Sequence, residues 1–190
     1  MIVSKQSLSI LLLSLSLVGA AFALQARADH PAPVVGGPTI GGAQSVVLTN
    51  NRGGITTYNE INVFADGVDI ASAANGATAT STDGPPFTWG PGPIGAIDDV
   101  IDGGCCDGLF HGQDAGGDLT EFTINFDGAH NVDLMEVIGR IGCCPERTDD
   151  FDVDFYSGPD GTGNLLLNFN VVGLGGADSS DAAAGSRFSR

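Results

Sequence analysis

Two arginines bracket a pair of adjacent cysteines in the stretch RIGCCPER, Arg140 to Arg147, of a chain with few basic residues. A guanidinium group presents a planar fork of N–H donors, which suits paired hydroxyl or ring oxygens. Two such groups across a tight loop would grip one small polyol. A bond between Cys143 and Cys144 would stiffen that loop and add an apolar sulfur face. The alternative is that both arginines simply pair with some of the many acidic residues.

A second stretch, GAIDDVIDGG from Gly95 to Gly104, crowds Asp98, Asp99 and Asp102 between glycines. Carboxylates and backbone carbonyls at close quarters are the ligands that a hard cation such as Ca²⁺ requires. The alternative is a solvated acidic turn, because Ca²⁺ takes at least about six oxygen ligands and the stretch supplies only a few.

A histidine, His111 in GLFHGQD, follows the acidic stretch and can donate a hydrogen bond to a ligand hydroxyl. The alternative is a solvent-facing loop residue. No serine or cysteine with a partnered base can be recognised, and no pair of acidic residues stands out as a catalytic pair. The sequence therefore predicts a binding protein rather than an enzyme.

The N-terminal 28 residues have the pattern of a secretory signal peptide: a lysine, an uncharged apolar run and small residues at Ala26 and Ala28. Residues 29–44 are rich in proline and glycine and are predicted to form a flexible leader. No second apolar run is long enough for a transmembrane helix, so we expect none in the mature chain. The predicted location is secreted, either extracellular or periplasmic.

The predicted mature chain is strongly acidic. Removal of residues 1–28 takes away Lys5 and Arg27 and leaves five basic against 23 acidic residues, a net charge of 5 − 23 = −18. Such a surface repels nucleic-acid phosphates and anionic membranes, so we expect neither as a partner. The charge instead suits divalent cations.

The four cysteines form two adjacent pairs, Cys105–Cys106 and Cys143–Cys144. Export into an oxidising compartment makes disulfides the expected state. The sequence leaves open whether each pair closes on itself or whether the two pairs cross-link. Adjacent cysteines lack the spacing of a zinc site, and no histidine pair accompanies them.

Beyond the leader, short alternating segments are separated by Gly and Asp-Gly turns. The segment EINVF places Ile61 and Val63 on one face, and DFDVDFY places Phe151, Val153 and Phe155 opposite its aspartates. No segment has a sustained helical period with caps. The pattern predicts an all-β sandwich over residues 45–174, followed by a flexible tail over residues 175–190.

The stretches NEINVF, VIDG, FTINFDGAHNVDLMEVIGR and CCPER together resemble the F5/8 type C (discoidin) family and, within it, the fucose-binding F-type lectins. The similarity covers about Ser45 to Val172. It implies the galactose-binding-like fold, a jelly-roll sandwich of about eight antiparallel strands. Two features outside the sugar site differ from the family: Thr120 to Phe122 replace its paired tryptophans, and the NEINVF strand opens the domain instead of closing it.

The resemblance implies a sugar site built on a histidine and two basic residues. Arg140 and Arg147 match the basic positions, the two cysteines between them match the family's adjacent disulfide, and His111 is the candidate histidine. The family's R-x-D aspartate is Gly142 here, which removes a carboxylate that orients an arginine. The implied function is a secreted lectin-like module that binds glycans or glycoproteins through a neutral sugar such as fucose or galactose. The alternative is an exported adhesion or structural domain with a degenerate site.

The resemblance also implies a structural calcium ion that braces the loops without taking part in chemistry. Its ligands would be Asn59 and Glu60 of the NEINVF strand, Asp99, Asp102 and the carbonyl of Gly104. We therefore expect removal of calcium to loosen the loops that carry the sugar site.

Overall fold

The chain folds into antiparallel strands, in a computed structural model that describes residues 39–83, 90–101, 108–113, 119–140, 144–148, 150–171 and 185–188. All of these residues belong to one compact unit, Pro33–Arg190. In chain order the strands are β1 Ile40–Asn50, β2 Thr57–Tyr58, β3 Glu60–Ala65, β4 Val68–Asp69, β5 Thr78–Ser81, β6 Phe110–His111, β7 Glu121–Val132, β8 Leu134–Ile138, β9 Phe151–Tyr156, β10 Leu165–Val171 and β11 Gly185–Phe188. The 3-10 helices within the described ranges are Ala73–Asn75, Pro93–Ala96 and Pro145–Thr148.

The larger sheet has five strands in the order β10-β9-β1-β7-β5, with β1 at its centre. β1 pairs with β7 on one side and β9 on the other, so Leu48 lies between Phe122 and Val153 in register. β9 alternates between buried and half-buried residues, with Phe151, Val153 and Phe155 facing the core. The predicted face of this strand is therefore confirmed.

The smaller sheet has four strands in the order β11-β8-β3-β4. Ile61 and Val63 of β3 and Met135 and Val137 of β8 pack into the same core cluster as the inward residues of the larger sheet. Burial of apolar side chains from two facing sheets is the main stabilising term in such a fold. The predicted all-β sandwich is confirmed at this level.

The strands extend beyond the predicted boundaries at both ends. β1 begins at Ile40, inside the predicted leader, because the long β7 offers pairing partners as far as Val132. The register shifts around Gly42, whose φ of 76° favours glycine, and this leaves Ala43 fully buried. At the other end β11 lies inside the predicted tail and pairs with β8.

A two-stranded ladder of β2 and β6 pairs Thr57 with His111 and Tyr58 with Phe110. Tyr58 and Phe110 are both buried and stack with ring centroids 6.2 Å apart, and both rings also contact Phe122 of β7. The aromatic cluster thus fixes the short ladder that carries His111 against the main core. In the part of the chain that the structure describes, no helix is long and apolar enough to cross a membrane.

Candidate functional site

The histidine and the two arginines predicted for the sugar site lie near one another, although they arise from separate elements. His111 ends β6, Arg140 follows β8, and Arg147 lies in the 3-10 helix Pro145–Thr148. Nη1 of Arg147 lies 2.9 Å from Nε2 of His111. Arg140 is near enough for its charge, like that of Arg147, to act on the imidazole. Arg140 is nearly enclosed, with 7% of its surface exposed, and Arg147 is half-buried.

The hydrogen bonds of His111 define its tautomer. Nδ1 lies 2.9 Å from the carbonyl oxygen of Gly112, which can only accept, so Nδ1 carries the proton. The guanidinium of Arg147 can only donate, so Nε2 is the unprotonated acceptor. His111 is therefore neutral and holds Arg147, whereas the sequence predicted a donor to a ligand hydroxyl.

Burial favours the same neutral state. It lowers the pKa of His111, and the positive charges of Arg147 and Arg140 lower it further, while the hydrogen bond to the Gly112 carbonyl acts in the opposite direction. A protonated imidazole would be a third positive charge beside the guanidinium groups of Arg140 and Arg147, in a buried environment.

The 3-10 helix is attached to the ladder by close packing. Oγ1 of Thr148 donates to the carbonyl of Thr57, the residue paired with His111, and both threonines are buried. A Cβ at Gly139 would lie 3.0 Å from Cβ and Oγ1 of Thr148, so glycine fits the close approach of the chain to this helix with the least adjustment. At the start of the helix Cys144 has a φ of 57° and accepts from the backbone N–H of Arg147.

Sequence reasoning missed a carboxylate beside His111. Asp83, after β5, packs so closely on Gly112 that a Cβ there would lie 1.8 Å from its Oδ2. Oδ1 accepts from Oγ1 of Thr120 at 2.9 Å. Burial raises the pKa of Asp83, and hydrogen bonds from Thr120 and the backbone of Gln113 offset part of that rise. The contact joins residues far apart in sequence, so no local pattern predicted it.

The cation prediction centres on Glu60, the first residue of β3. Its side chain is 1% exposed, and no described group lies in good hydrogen-bond geometry to either carboxylate oxygen. Burial, and then the negative charges of Asp98, Asp69 and Asp99, raises the pKa of Glu60 to about 9, while the backbone N–H of Asp99 acts in the opposite direction. A buried carboxyl group with so little hydrogen bonding, among three acids, is an unfavourable arrangement unless a proton or a cation neutralises it.

The acids around Glu60 come from two segments. Asp69 pairs with Phe64 at the end of β3, and its Oδ1 accepts from the N–H groups of Val63 and Ala71. Asp99, with a φ of 64°, accepts from Oγ of Ser72 at 2.6 Å. Sequence reasoning named Glu60 and Asp99 as metal ligands but missed Asp69, which the β3–β4 turn carries into place.

Several predicted site residues lie outside the described ranges: Asp102, Gly104, Cys105, Cys106 and Cys143. Asn59 is fully buried and donates its backbone N–H to the carbonyl of Ile138. Among the residues that are described, no three His, Cys, Asp or Glu side chains converge closely enough to hold a metal ion. The five-ligand calcium set and the disulfides therefore stay predictions, and Glu60 is the predicted ligand whose surroundings fit a cation.

Comparison with known proteins adds no family assignment, because no family model, no curated protein and no solved structure matches the chain.

Proposed function

We propose that this protein is a secreted carbohydrate-binding module of the jelly-roll type, which recognises a neutral sugar such as fucose or galactose. The observation that carries the proposal is that Arg147, Arg140 and His111 lie near one another. The three side chains come from separate elements, although the predicted mature chain has only five arginine and lysine residues in all.

The chemistry of the cluster favours a hydroxylated guest. Each guanidinium offers N–H donors in a plane, and vicinal hydroxyls and ring oxygens accept such pairs. Arg147 is the more accessible of the two and would make the principal contact. Binding of an anion is opposed by the net charge, which is −16 for the full chain and −18 without residues 1–28, so neutral ligands are favoured.

A cysteine pair at the rim would complete the site. Cys144 immediately precedes the 3-10 helix of Arg147, so a bond between Cys143 and Cys144 would hold the chain where it enters that helix. The sulfur atoms would present an apolar surface to the C–H face of a sugar. This part of the proposal rests on the resemblance to F-type lectins.

A structural Ca²⁺ ion is the second part of the proposal. Glu60 and Asp99 would supply carboxylate oxygens, joined by Asn59, Asp102 and the carbonyl of Gly104. When bound, the ion would supply positive charge to Glu60 and tie β3 to the acidic stretch. Its role would be to brace loops rather than to take part in chemistry.

The test is a glycan array probed with the purified protein, once in calcium and once in EGTA. We expect binding to fucose- or galactose-terminated glycans, weakened by EGTA. Arg147→Ala should lower the affinity at least about tenfold, the loss of one charge-assisted hydrogen bond. Arg52→Ala, which removes an exposed arginine outside the cluster, is the matched control and should bind normally.

The array also tests the other readings. Sialylated or sulfated glycans as the sole ligands would replace the neutral-sugar assignment with an anion site. A folded protein that binds no glycan would leave the alternative function, an exported adhesion or structural domain. That alternative is favoured by Gly142, which stands where the resembling family has an orienting aspartate.

A further inference from the structure

We infer that neutral His111 is the positioning residue for Arg147, and that protonation of its imidazole in acid releases the guanidinium. The switch itself follows from two hydrogen bonds, and only its effect on sugar binding rests on the proposed function. Nδ1 is held as a donor by the Gly112 carbonyl, and Nε2 is held as an acceptor by Arg147, each at 2.9 Å.

The two bonds leave the ring no way to accept a proton without losing Arg147. A proton can add only at Nε2, where the lone pair already receives the Arg147 N–H. Protonation would set two N–H groups against each other and place a cation beside a cation. The guanidinium must then move away, and the geometry that a bound hydroxyl group would require is lost.

Among the residues that the structure describes, the other ionisable groups around the ring do not compensate this charge. Arg140 acts on the ring in the same sense as Arg147. Tyr58, on the strand paired with β6, has its pKa raised further by burial and stays uncharged. Asp83 is the acid packed on Gly112, and its pKa is also raised by burial, which weakens its charge in acid.

The nitrogen spectra of the histidine rings test the switch directly and without a ligand. His130 serves as an internal control with the opposite tautomer, because its Nε2 bonds to the carbonyl of Asp127 at 3.0 Å. At neutral pH we expect the proton of His111 on Nδ1 and that of His130 on Nε2. A proton found on Nε2 of His111 at neutral pH would overturn the inference.

The functional test uses L-fucose as the probe, with calcium saturating at every pH. Wild-type affinity should fall about tenfold per pH unit once the imidazole titrates. His111→Gln keeps an acceptor for Arg147 but cannot gain a proton, so its affinity should stay level in acid. His111→Leu, which has no acceptor, should bind weakly at every pH. Equal acid sensitivity of wild type and His111→Gln would contradict the inference.

The two proposals fail in different ways. If wild-type protein binds no fucose at any pH, the proposed sugar function is wrong for this probe, and the ring spectra still decide whether His111 holds Arg147. In that case Arg147→Ala supplies a second readout, because removal of a neighbouring cation should make His111 titrate at a higher pH in the spectra.

Discussion

Replacing Glu60 with glutamine separates the cost of burying this carboxyl group from its proposed use as a calcium ligand. Burial and three neighbouring acids raise the pKa of Glu60 from 4.5 to about 9. The folded protein therefore holds a proton that the unfolded chain releases. The free energy of unfolding that this proton contributes is fully present below pH 4.5, the pKa of the carboxyl group in the unfolded chain. It is lost as the pH rises towards about 9, the pKa of the group in the folded protein.

The magnitude follows from the linkage between proton binding and folding. Within that window the free energy of unfolding falls by about 1.4 kcal/mol for each pH unit. Between pH 5 and pH 8, without calcium, the contribution of Glu60 thus falls by about 4 kcal/mol. Glu60→Gln fills the same space without an ionisable group. The free energy of unfolding of the variant, relative to that of wild type, should therefore increase by this amount as the pH rises.

Calcium should narrow the difference in stability between the two proteins. An ion that binds the ionised carboxylate stabilises only wild type, by about 2.7 kcal/mol when its concentration is a hundred times the dissociation constant. The assay is urea unfolding at pH 5, 6, 7 and 8, in EGTA and in calcium, for both proteins. His111 titrates in both, so its contribution cancels in the difference. The reasoning is refuted if both proteins show the same pH dependence in EGTA, and the calcium proposal fails if calcium stabilises both equally.

Two further substitutions test the packing that positions the site. Gly112→Ala should destabilise the fold by about 1 to 3 kcal/mol, because its Cβ would overlap the carboxylate of Asp83. Gly41→Ala is the control, because a Cβ at Gly41 has space. Thermal unfolding compares the two variants, and equal stability would show that the side chain of Asp83 moves freely aside. Leu48→Ala, in the centre of the core, should lower the free energy of unfolding in urea by about 2 to 5 kcal/mol. Leu165→Ala, at an exposed position, should change it by no more than about 0.5 kcal/mol. Similar losses for both variants would contradict the assigned core.

The strands of the core were predictable from sequence because their alternation is a local signal. Phe151, Val153 and Phe155 alternate with aspartates, and the structure buries the three apolar residues while the aspartates lie half-buried on the other face. The ends of the domain were not predictable in this way. Ile40 precedes two glycines and looks like part of a loop, yet β7 extends far enough to pair with it.

The candidate site was predictable in composition but not in its internal bonding. The spacing of Arg140 and Arg147 marked the loop, and the structure adds that His111 reaches it from a different strand. The tautomer of His111 depends on a carbonyl and a guanidinium that only the fold brings near. The acids around Glu60 depend likewise on the β3–β4 pairing that carries Asp69.

The central claim is that the two arginines beside His111 form a sugar site, and a titration of the protein with L-fucose tests it most directly. The side-chain Nε–H signals of all arginines are followed by NMR in saturating calcium. We predict that the signals of Arg140 and Arg147 shift together and saturate with one dissociation constant, while that of Arg52 stays in place. Unchanged signals for Arg140 and Arg147, with fucose, galactose and every glycan that binds on the array, would contradict the account.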